Sequence, residues 1–406
     1  MYTDIKIKKA ELIMNAKYKQ FLFLAAVSLF WFSQYIYTSY FTPYMSSLGI
    51  ASSLAGTIVG AYGFTQLILR IPFGVTADYF KNHRAFLFLG YIFILASSAV
   101  LSLTQSAWVF LLARLLSGAA SATWVSFTVY FSAFSVSEDA SGNMGKLMAA
   151  NNIGVFAAYI AGGLLYEATG IRTLFILSGA VAALALILLC FLQPPGAQTQ
   201  REPLKLRDLK LVATDGRLWN LSMLAAAIQF ISCATASSFT SNYAKSLGAG
   251  GLQLGIVSAL YTLSGIIGAA LIGTPVSKRF SDRTIIVFGF ILTLAYCALV
   301  PLCSGIPALY IMQFIGGFGK VLILTLLMAD AVKSAAPAVR STAMGVYQSV
   351  YSLGMTVGPI IMGAVLERTQ GFRPAFFLMA AASFLCAIWA FFSRYEQKAD
   401  TAQEKA

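Results

Sequence analysis

Long apolar runs dominate the chain and recur from one end to the other. Each covers about 20 residues or more, which at about 1.5 Å per residue crosses the roughly 30 Å of hydrocarbon in a membrane. In hydrocarbon every backbone polar group needs a partner within its own segment, so each run is predicted to be a helix. The pattern predicts twelve membrane spans, at about 20–46, 53–76, 84–104, 107–134, 147–166, 173–193, 219–244, 253–277, 284–304, 307–332, 341–365 and 373–394.

The pattern also repeats itself after 199 to 201 residues. The stretch 47–49 returns at 246–248, and Tyr62 returns as Tyr261. Further matched positions are Gly74/Gly273, Gly118/Gly317, Gly154/Gly354, Glu167/Glu367 and Gly170/Gly371. Two similar halves in a bilayer favour a site between them that opens alternately to each side. The predicted fold is therefore an all-α membrane protein of two pseudo-symmetric six-helix bundles.

One polar connection separates the two halves. It begins with Gln-Pro-Pro-Gly near residue 193 and carries several basic residues, which is typical of a linker. The other loops are too short to hold a further soluble domain. We therefore predict an N-terminal six-helix bundle at 1–193, a cytoplasmic linker at 194–218, and a C-terminal six-helix bundle with a short cytoplasmic tail at 219–406.

The net charge of +13 is placed unevenly along the chain. With the N-terminus in the cytoplasm, 21 Lys and Arg fall on the cytoplasmic side, 4 on the outer side and 3 within spans. This bias predicts that both termini are cytoplasmic, and it indicates a topology signal rather than a nucleic-acid surface. The basic loops also favour anionic lipid headgroups. We expect a multi-pass protein of a plasma membrane, of the kind of a prokaryotic inner membrane.

Composition points away from catalysis. Of all residues 58% are hydrophobic and 11% charged, and the chain has a single histidine, His83. The five cysteines fall in or at the ends of predicted spans, with no spacing suited to a metal or to disulfides. We interpret them as small apolar fillers. We expect no enzyme activity, no cofactor and no metal site, because no cluster of His, Cys or carboxylates occurs.

Three ionisable residues lie within spans: Arg70, Arg114 and Lys320. Such groups are costly in a membrane and suggest function by default. Arg114 and Ser121 lie seven residues apart on one face of span 4, and their matches in span 10 are Gln313 and Lys320. Lys320 is predicted near the midplane, either packed against a polar neighbour or facing a central cavity. Arg70, nearer the cytoplasm, is predicted to snorkel or to pair near the cytoplasmic ends.

All fifteen Asp and Glu lie in predicted loops or near span ends. A carrier of cations is expected to hold an acid at mid-span, whereas fixed positive charge favours a carboxylate, phosphate or sulfonate. Tyrosine and amide side chains around the cations suit an amphiphilic organic anion, although each alone fits a helix contact equally well. The predicted binding residues are Lys320, Arg114, Gln34, Tyr37, Tyr62, Gln229, Tyr261, Gln313, Gln348 and Tyr351.

The loop after span 2 adds a resemblance to a known family. Gly74 is followed by Asp78 and then by Lys81 and Arg84, a pattern similar to the signature of the major facilitator superfamily. Arg114 and Gly118 resemble that family's Arg-x-x-x-Gly element in span 4. The resemblance implies a twelve-span secondary transporter. Span 5, Gly154 to Gly163, lacks the proline that many drug antiporters of the family carry.

The signature loop also predicts a latch that closes the cytoplasmic side. Asp78 is expected to face the N-terminus of span 11 and Arg340, while Gly74 lets another helix approach closely. The predicted latch residues are Gly74, Asp78, Arg84, Arg340, Asp330 and Arg70.

Function is predicted as transport of a small or amphiphilic organic anion across the plasma membrane by alternating access, either secondary active or facilitative. Export of cations or several drugs by proton exchange is the alternative, and lipid flipping on the same fold is another. The expected partners are a small-molecule substrate, membrane lipids and a counter-transported ion or solute, with no nucleic acid and a monomeric chain.

Overall fold

The computed structural model describes residues 2–132, 140–192, 214–272, 274, 279–334 and 340–393. Every regular element among these residues is a helix. Spans 1 to 6 of the first half are formed by the helices Tyr2–Tyr35 with Thr38–Ser47, Ser52–Tyr79, His83–Leu103, Ala107–Ala122 with Trp124–Ser132, and Ala140–Cys190. The last of these contains both span 5 and span 6.

The second half has the same order of elements. Spans 7 to 12 are formed by Gly216–Ala234 with the π-helical Thr235–Phe239 and Thr240–Ser246, then Gly251–Ile272, Asp282–Leu299 with the short 3₁₀ turn Val300–Leu302, Ile306–Ser334, Arg340–Thr369 and Phe372–Phe392. Residues 194–213 of the predicted linker lie outside the described residues. Asp215 caps span 7 by accepting hydrogen bonds from the backbone N–H groups of Arg217 and Leu218.

Eleven helical segments of the described chain are long and apolar enough to cross a membrane. One of them, Met144–Cys190, is 47 residues long and is interrupted at Gly170, which has φ 73° and ψ 174°. That break divides it into spans 5 and 6, so the all-α arrangement of twelve spans is confirmed. In the second half the left-handed residue at this turn is Gln370, with φ 49°, whereas Gly371 is extended and precedes span 12.

The turns after spans 1 and 7 show the repeat in atomic detail. Gly49 and Gly248 both have a positive φ, of 73° and 88°. In each turn the next residue donates its N–H to a carbonyl five positions earlier, at 3.1 Å for Ile50 and 3.0 Å for Ala249. Glycine is suited to this left-handed helix end because it has no Cβ. These two turns and Gly170 lie at one end of the bundle, which we call the distal end; the opposite end, where span 6 ends at Cys190 and span 7 begins at Gly216, we call the terminal end.

Buried apolar side chains show that the halves are joined at the distal end. One cluster contains side chains of both halves, among them Tyr37 and Phe175 of the first and Leu254 and Phe376 of the second. Two further clusters of the described chain, toward the terminal end, are each built almost entirely from one half. The halves therefore share a core at the distal end and keep separate cores at the terminal end.

Among the described residues, the packing across the halves comes mainly from spans 2 with 11 and 5 with 8, and span 1 also contacts spans 7 and 8. The contact between spans 2 and 11 depends on small residues, because a Cβ built on Gly56 would lie 2.2 Å from the carbonyl oxygen of Pro359. A Cβ on Gly255 would lie 2.5 Å from the carbonyl oxygen of Tyr159 in the same way. Such backbone-to-backbone packing is how membrane helices approach closely. It closes the distal end in this conformation.

Candidate functional site

Each half places one cation against a tyrosine of the same half in the interior of the bundle. The guanidinium carbon of Arg114 lies 4.5 Å from the ring centroid of Tyr62, and Nζ of Lys320 lies 5.6 Å from the ring centroid of Tyr261. These two tyrosines are equivalent in the sequence repeat. Arg114 is buried and Lys320 is half-buried. A ring face within about 6 Å stabilises a cation but does not neutralise it.

Two equivalent glycines set these positions. A Cβ on Gly118 would lie 2.4 Å from the carbonyl oxygen of Tyr62, and a Cβ on Gly317 would lie 2.1 Å from that of Tyr261. Spans 4 and 10 therefore touch the backbones of spans 2 and 8 at these glycines. A residue three or four positions away on the same helix face lies beside the contact. Arg114 precedes its glycine by four positions, and Lys320 follows its glycine by three.

Cys233 of span 7 lies within electrostatic range of both cations. Its thiol interacts electrostatically with both Lys320 and Arg114. It also interacts with Tyr35, Tyr159 and Tyr261, so side chains of both halves surround it. We call the group Arg114, Lys320, Cys233, Tyr35, Tyr62, Tyr159 and Tyr261 the central cluster.

Three members of the central cluster are absent from the predicted binding residues: Cys233, Tyr35 and Tyr159. Cys233 is half-buried rather than a fully buried filler. It directly precedes Ala234 and the π-helical segment of span 7, and its carbonyl oxygen accepts a hydrogen bond from the Ser238 hydroxyl at 2.7 Å. Such local irregularities often mark functional positions. A run of Thr and Ser after a cysteine in an apolar span was the available signal, and it is a weak one.

Gln34 lies beside the central cluster, but its amide is fully occupied. Its Nε2 donates to the carbonyl oxygen of Ser117 and to the hydroxyl of Ser121, both at 3.0 Å, and its Oε1 accepts from Ser117. The hydroxyl of Tyr62 is also hydrogen-bonded to Ser121, at 2.8 Å. This network ties spans 1 and 2 to span 4 and holds the Tyr62 ring beneath Arg114.

The remaining amides and Tyr37 have separate surroundings. Tyr37 is buried in the distal core with its ring against Phe41 and Phe175. Gln229 accepts a hydrogen bond from Ser232 of its own helix, at 3.2 Å. Gln313 is fully buried, and neither of its amide atoms has a hydrogen-bond partner.

Arg70 joins the two halves deep in the bundle. Its guanidinium donates to Gln348 at 3.1 Å and to the hydroxyl of Tyr351 at 3.0 Å, both from span 11. It also donates to Gln66 of its own helix and to the carbonyl oxygen of Ser121. These acceptors are all uncharged. The structure thus brings together three predicted residues, Arg70, Gln348 and Tyr351, in a contact that sequence reasoning did not anticipate.

The other predicted latch residues lie in different contacts at the terminal end. Asp78 pairs with His83 at 3.0 Å, and the other ring nitrogen of His83 lies 3.4 Å from the hydroxyl of Ser126. Arg84 donates to the carbonyl oxygen of Cys190 at 3.3 Å, at the end of span 6. A Cβ on Gly74 would meet Val125 only at an ordinary 3.7 Å.

The second half contributes two predicted latch residues. Asp330 is buried, one of its oxygens has no partner, and it interacts electrostatically with Asp282, Lys333 and Arg217. Arg340 begins the helix of span 11, and its side chain lies outside the described part of the structure. Within that part, no group of three or more His, Cys, Asp or Glu is placed to hold a metal ion.

The chain is similar to transporters along most of its length. The sequence profile of the Major Facilitator Superfamily matches residues 22–274 and 222–406. The class C tetracycline resistance protein of Escherichia coli is 23% identical over 319 residues, which cover 76% of this chain and 79% of that protein. The quinolone resistance protein NorA of Staphylococcus aureus strain MSSA476 is 22% identical over 330 residues, which cover 80% and 84%.

Solved structures of transporters share the fold. A bacterial homolog of the human lysosomal transporter Spinster, in an inward-facing and unoccupied conformation, has a TM-score of 0.75 at 14% identity and covers 93% of this chain and 96% of its own. The nucleoside transporter NupG has a TM-score of 0.73 at 15% identity and covers 94% and 100%. Together with the profile match across both halves, these likenesses confirm the resemblance that the sequence indicated: the chain belongs to the Major Facilitator Superfamily, whose members are membrane transporters.

Proposed function

We propose that this protein carries a small or amphiphilic organic anion across the membrane, binding it at the central cluster while the two ends of the bundle open in turn. One arrangement carries the proposal: Arg114 and Lys320, from different halves, lie against equivalent tyrosines, and both are within electrostatic range of Cys233. All Asp and Glu of the sequence lie in loops or near span ends, so no carboxylate of the mid-spans compensates these cations.

The energetics favour an anionic ligand. A charge buried without a partner costs several kcal/mol, and the cost is recovered when an opposite charge pairs with it. The Nε of Arg114 is buried without a hydrogen-bond partner. A carboxylate, phosphate or sulfonate bound between Arg114 and Lys320 would supply both the charge and the acceptors.

The tyrosines suit the remainder of such a molecule. Tyr62 and Tyr261 lie against the cations, and Tyr35 and Tyr159 lie within electrostatic range of Tyr62 and Cys233. An aromatic side chain offers an apolar face and a polar hydroxyl edge. A site of this composition binds an amphiphilic organic anion better than a small inorganic one.

The placement of basic residues supports a direction for the bundle. We place the terminal end, with both chain termini, in the cytoplasm of a bacterial-type plasma membrane, because Lys and Arg concentrate there by 21 to 4. The conformation described above, joined at the distal end, is then open toward the cytoplasm. In the opposite conformation we propose that Asp78 meets the start of span 11 and Arg340, closing the cytoplasmic side. The chain works as a monomer in contact with anionic lipids, without catalytic chemistry.

Export of drugs or cations is the second candidate. Two relatives found by sequence are resistance proteins for tetracycline and for quinolones, at 23% and 22% identity. An exporter that exchanges its substrate for protons fits these likenesses. It does not by itself explain why Arg114 and Lys320 lie at the central cluster without an acidic partner.

Proteoliposome uptake tests the proposal. A panel of anionic, neutral and cationic organic solutes is offered to the protein and to its variants Lys320→Gln and Arg114→Gln. We expect uptake of anions, and a loss of about tenfold or more in each variant, since hydrogen bonds to charged groups contribute about 1.5 to 3 kcal/mol. Lys245→Gln is the matched control, because Lys245 is exposed at the distal end, where its ammonium donates a hydrogen bond to the carbonyl oxygen of Ala249. Full anion uptake by Lys320→Gln, or preferred uptake of cations, would contradict the proposal.

A further inference from the structure

Two equivalent glutamates at the distal end each bind a helix of the opposite half. Glu367, at the end of span 11, accepts a hydrogen bond from the backbone N–H of Ser53 at 2.9 Å. Glu167, at the end of span 5, accepts one from the backbone N–H of Gly251 at 2.5 Å. Ser53 lies in the first turn of span 2, and Gly251 begins span 8. Each half therefore caps a helix of the other.

Both caps fall where the helices need them. The first four N–H groups of a helix have no partner within it, and the helix dipole favours negative charge there. Ala51, which precedes span 2, provides no side-chain cap. A carboxylate from the opposite half thus supplies a charge-assisted bond that the local sequence does not.

The local sequence also leaves room for the carboxylate of Glu167. A Cβ on Gly250 would lie 2.3 Å from its Oε1, and a Cβ on Gly251 would lie 2.8 Å from its Cγ. Any other residue at these positions would displace the carboxylate. Beside the second cap, a Cβ on Gly363 would lie 2.2 Å from the carbonyl oxygen of Ser52. Glycines therefore bring the halves into contact next to both caps.

We infer that Glu167 and Glu367 form a reciprocal gate that holds the distal end closed. Because both bonds run between the halves, any motion that separates the halves at the distal end breaks the two together. Their combined strength then sets how often the distal end opens, independently of which substrate is carried. The inference rests on the proposed alternate opening of the two ends, but not on the charge of the substrate.

Distance measurements between spin labels test the gate. Labels at Ser47 and Ser246, which are exposed at the distal ends of spans 1 and 7, report the separation of the halves in a background with the native cysteines replaced. We expect the population with separated labels to rise about threefold in Glu167→Gln or Glu367→Gln and about tenfold in the double variant. Asp215→Asn is the matched control, because Asp215 caps span 7 within its own half.

A second variant reaches the same gate without changing a charge. Gly251→Ala should displace Glu167 and raise the separated population, whereas Gly145→Ala, which would meet nothing within 4 Å, should not. Label distances in the double glutamate variant that match those of the parent and of Asp215→Asn would overturn the inference. Uptake by the parent and by the same variants, unlabelled and with their native cysteines, is measured in parallel: a shift in distances without anion uptake by the parent would keep the gate and reject the proposed substrate, and anion uptake with unchanged distances would reject the gate alone.

Discussion

Comparison of the two halves shows which positions serve the fold and which serve the site. Gly118 touches the backbone of Tyr62, and Gly317 touches that of Tyr261, in the same way. The cations differ: Arg114 is matched by Gln313, and Lys320 is matched by Ser121. Each half thus holds one cation against the equivalent tyrosine. The two cations nevertheless occupy positions that are seven residues apart when the halves are aligned. The fold is symmetric, whereas the interior charge is not.

The first spans of the two halves give a second comparison. Span 1 is interrupted between Tyr35 and Thr38, and span 7 leaves α-helical geometry at the equivalent position, Thr235–Phe239. The π-helical segment of span 7 is bound across the halves, because Thr42, in the helix that follows the interruption of span 1, donates to the carbonyl oxygen of Ser238 at 2.8 Å. The π-helical segment of span 7, in the second half, is therefore bound by a hydroxyl group of the first half.

The largest expected effect on stability comes from substituting the two equivalent glycines at which spans 4 and 10 touch spans 2 and 8. Gly118→Ala and Gly317→Ala should each destabilise the protein by about 2 kcal/mol, because the new Cβ must displace a backbone carbonyl. Gly145→Ala is the control, and there the better helix propensity of alanine should give a gain of about 1 kcal/mol. Thermal unfolding in detergent measures all three. A gain in stability at Gly118 or Gly317 would show that the close contact is not required.

Making the halves alike at the cation positions should remove binding and spare the fold. Arg114→Gln copies Gln313, and Lys320→Ser copies Ser121. We expect each to weaken binding of an anionic ligand by about 10- to 100-fold, with a melting temperature no lower than that of the parent, because a buried charge is removed. Ligand titration and thermal unfolding separate the two effects. A marked loss of stability with binding intact would assign the cations to the fold.

Thr42→Val tests the contact between spans 1 and 7. Loss of the hydroxyl leaves the Ser238 carbonyl without this donor and should cost about 1 kcal/mol of stability. Thr57→Val is the control, since Thr57 donates only to Ser53 of its own helix in the described contacts. Equal melting temperatures for the two variants would mean that the cross-half bond contributes nothing.

The smallest expected effect is a gain at the turn between spans 11 and 12. Gln370 has the left-handed conformation that Gly170 has in the first half. Gln370→Gly should stabilise the protein by about 1 kcal/mol, since a side chain in this region is strained. The same unfolding assay measures it, and a lower melting temperature would indicate that the Gln370 side chain contributes contacts of its own.

The fold was predictable because its signals are local or repeated. Apolar length gives each span, and matched glycines such as Gly118 and Gly317 give the equivalence of the halves. The turn after span 11 was misaligned by one residue: the sequence pairs Gly170 with Gly371, while the backbone pairs it with Gln370. Residue type is a weak guide there, since the surrounding structure holds a non-glycine residue in a left-handed turn.

The site was predictable only in part. Charges inside spans are costly, so Arg114 and Lys320 stand out in a sequence. Gln34 does not differ in sequence from a ligand-binding amide, yet its hydrogen bonds are all used by span 4. Cys233 was interpreted as a filler because a small apolar residue at the centre has no signal of its own. Such assignments depend on which helices meet, and that is a tertiary property.

The anion site proposed at Cys233 is created by interior cations of both halves. It is tested most directly without knowledge of the substrate, in a protein that keeps Cys233 as its single cysteine. The thiolate attacks a methanethiosulfonate reagent, a disulfide forms and methanesulfinate leaves. The sulfonate-bearing and trimethylammonium-bearing reagents are compared, each relative to its rate with a small free thiol. We predict that the anionic reagent reacts about tenfold faster, and that this preference falls toward one in Lys320→Gln. An equal or faster reaction of the cationic reagent would contradict the account.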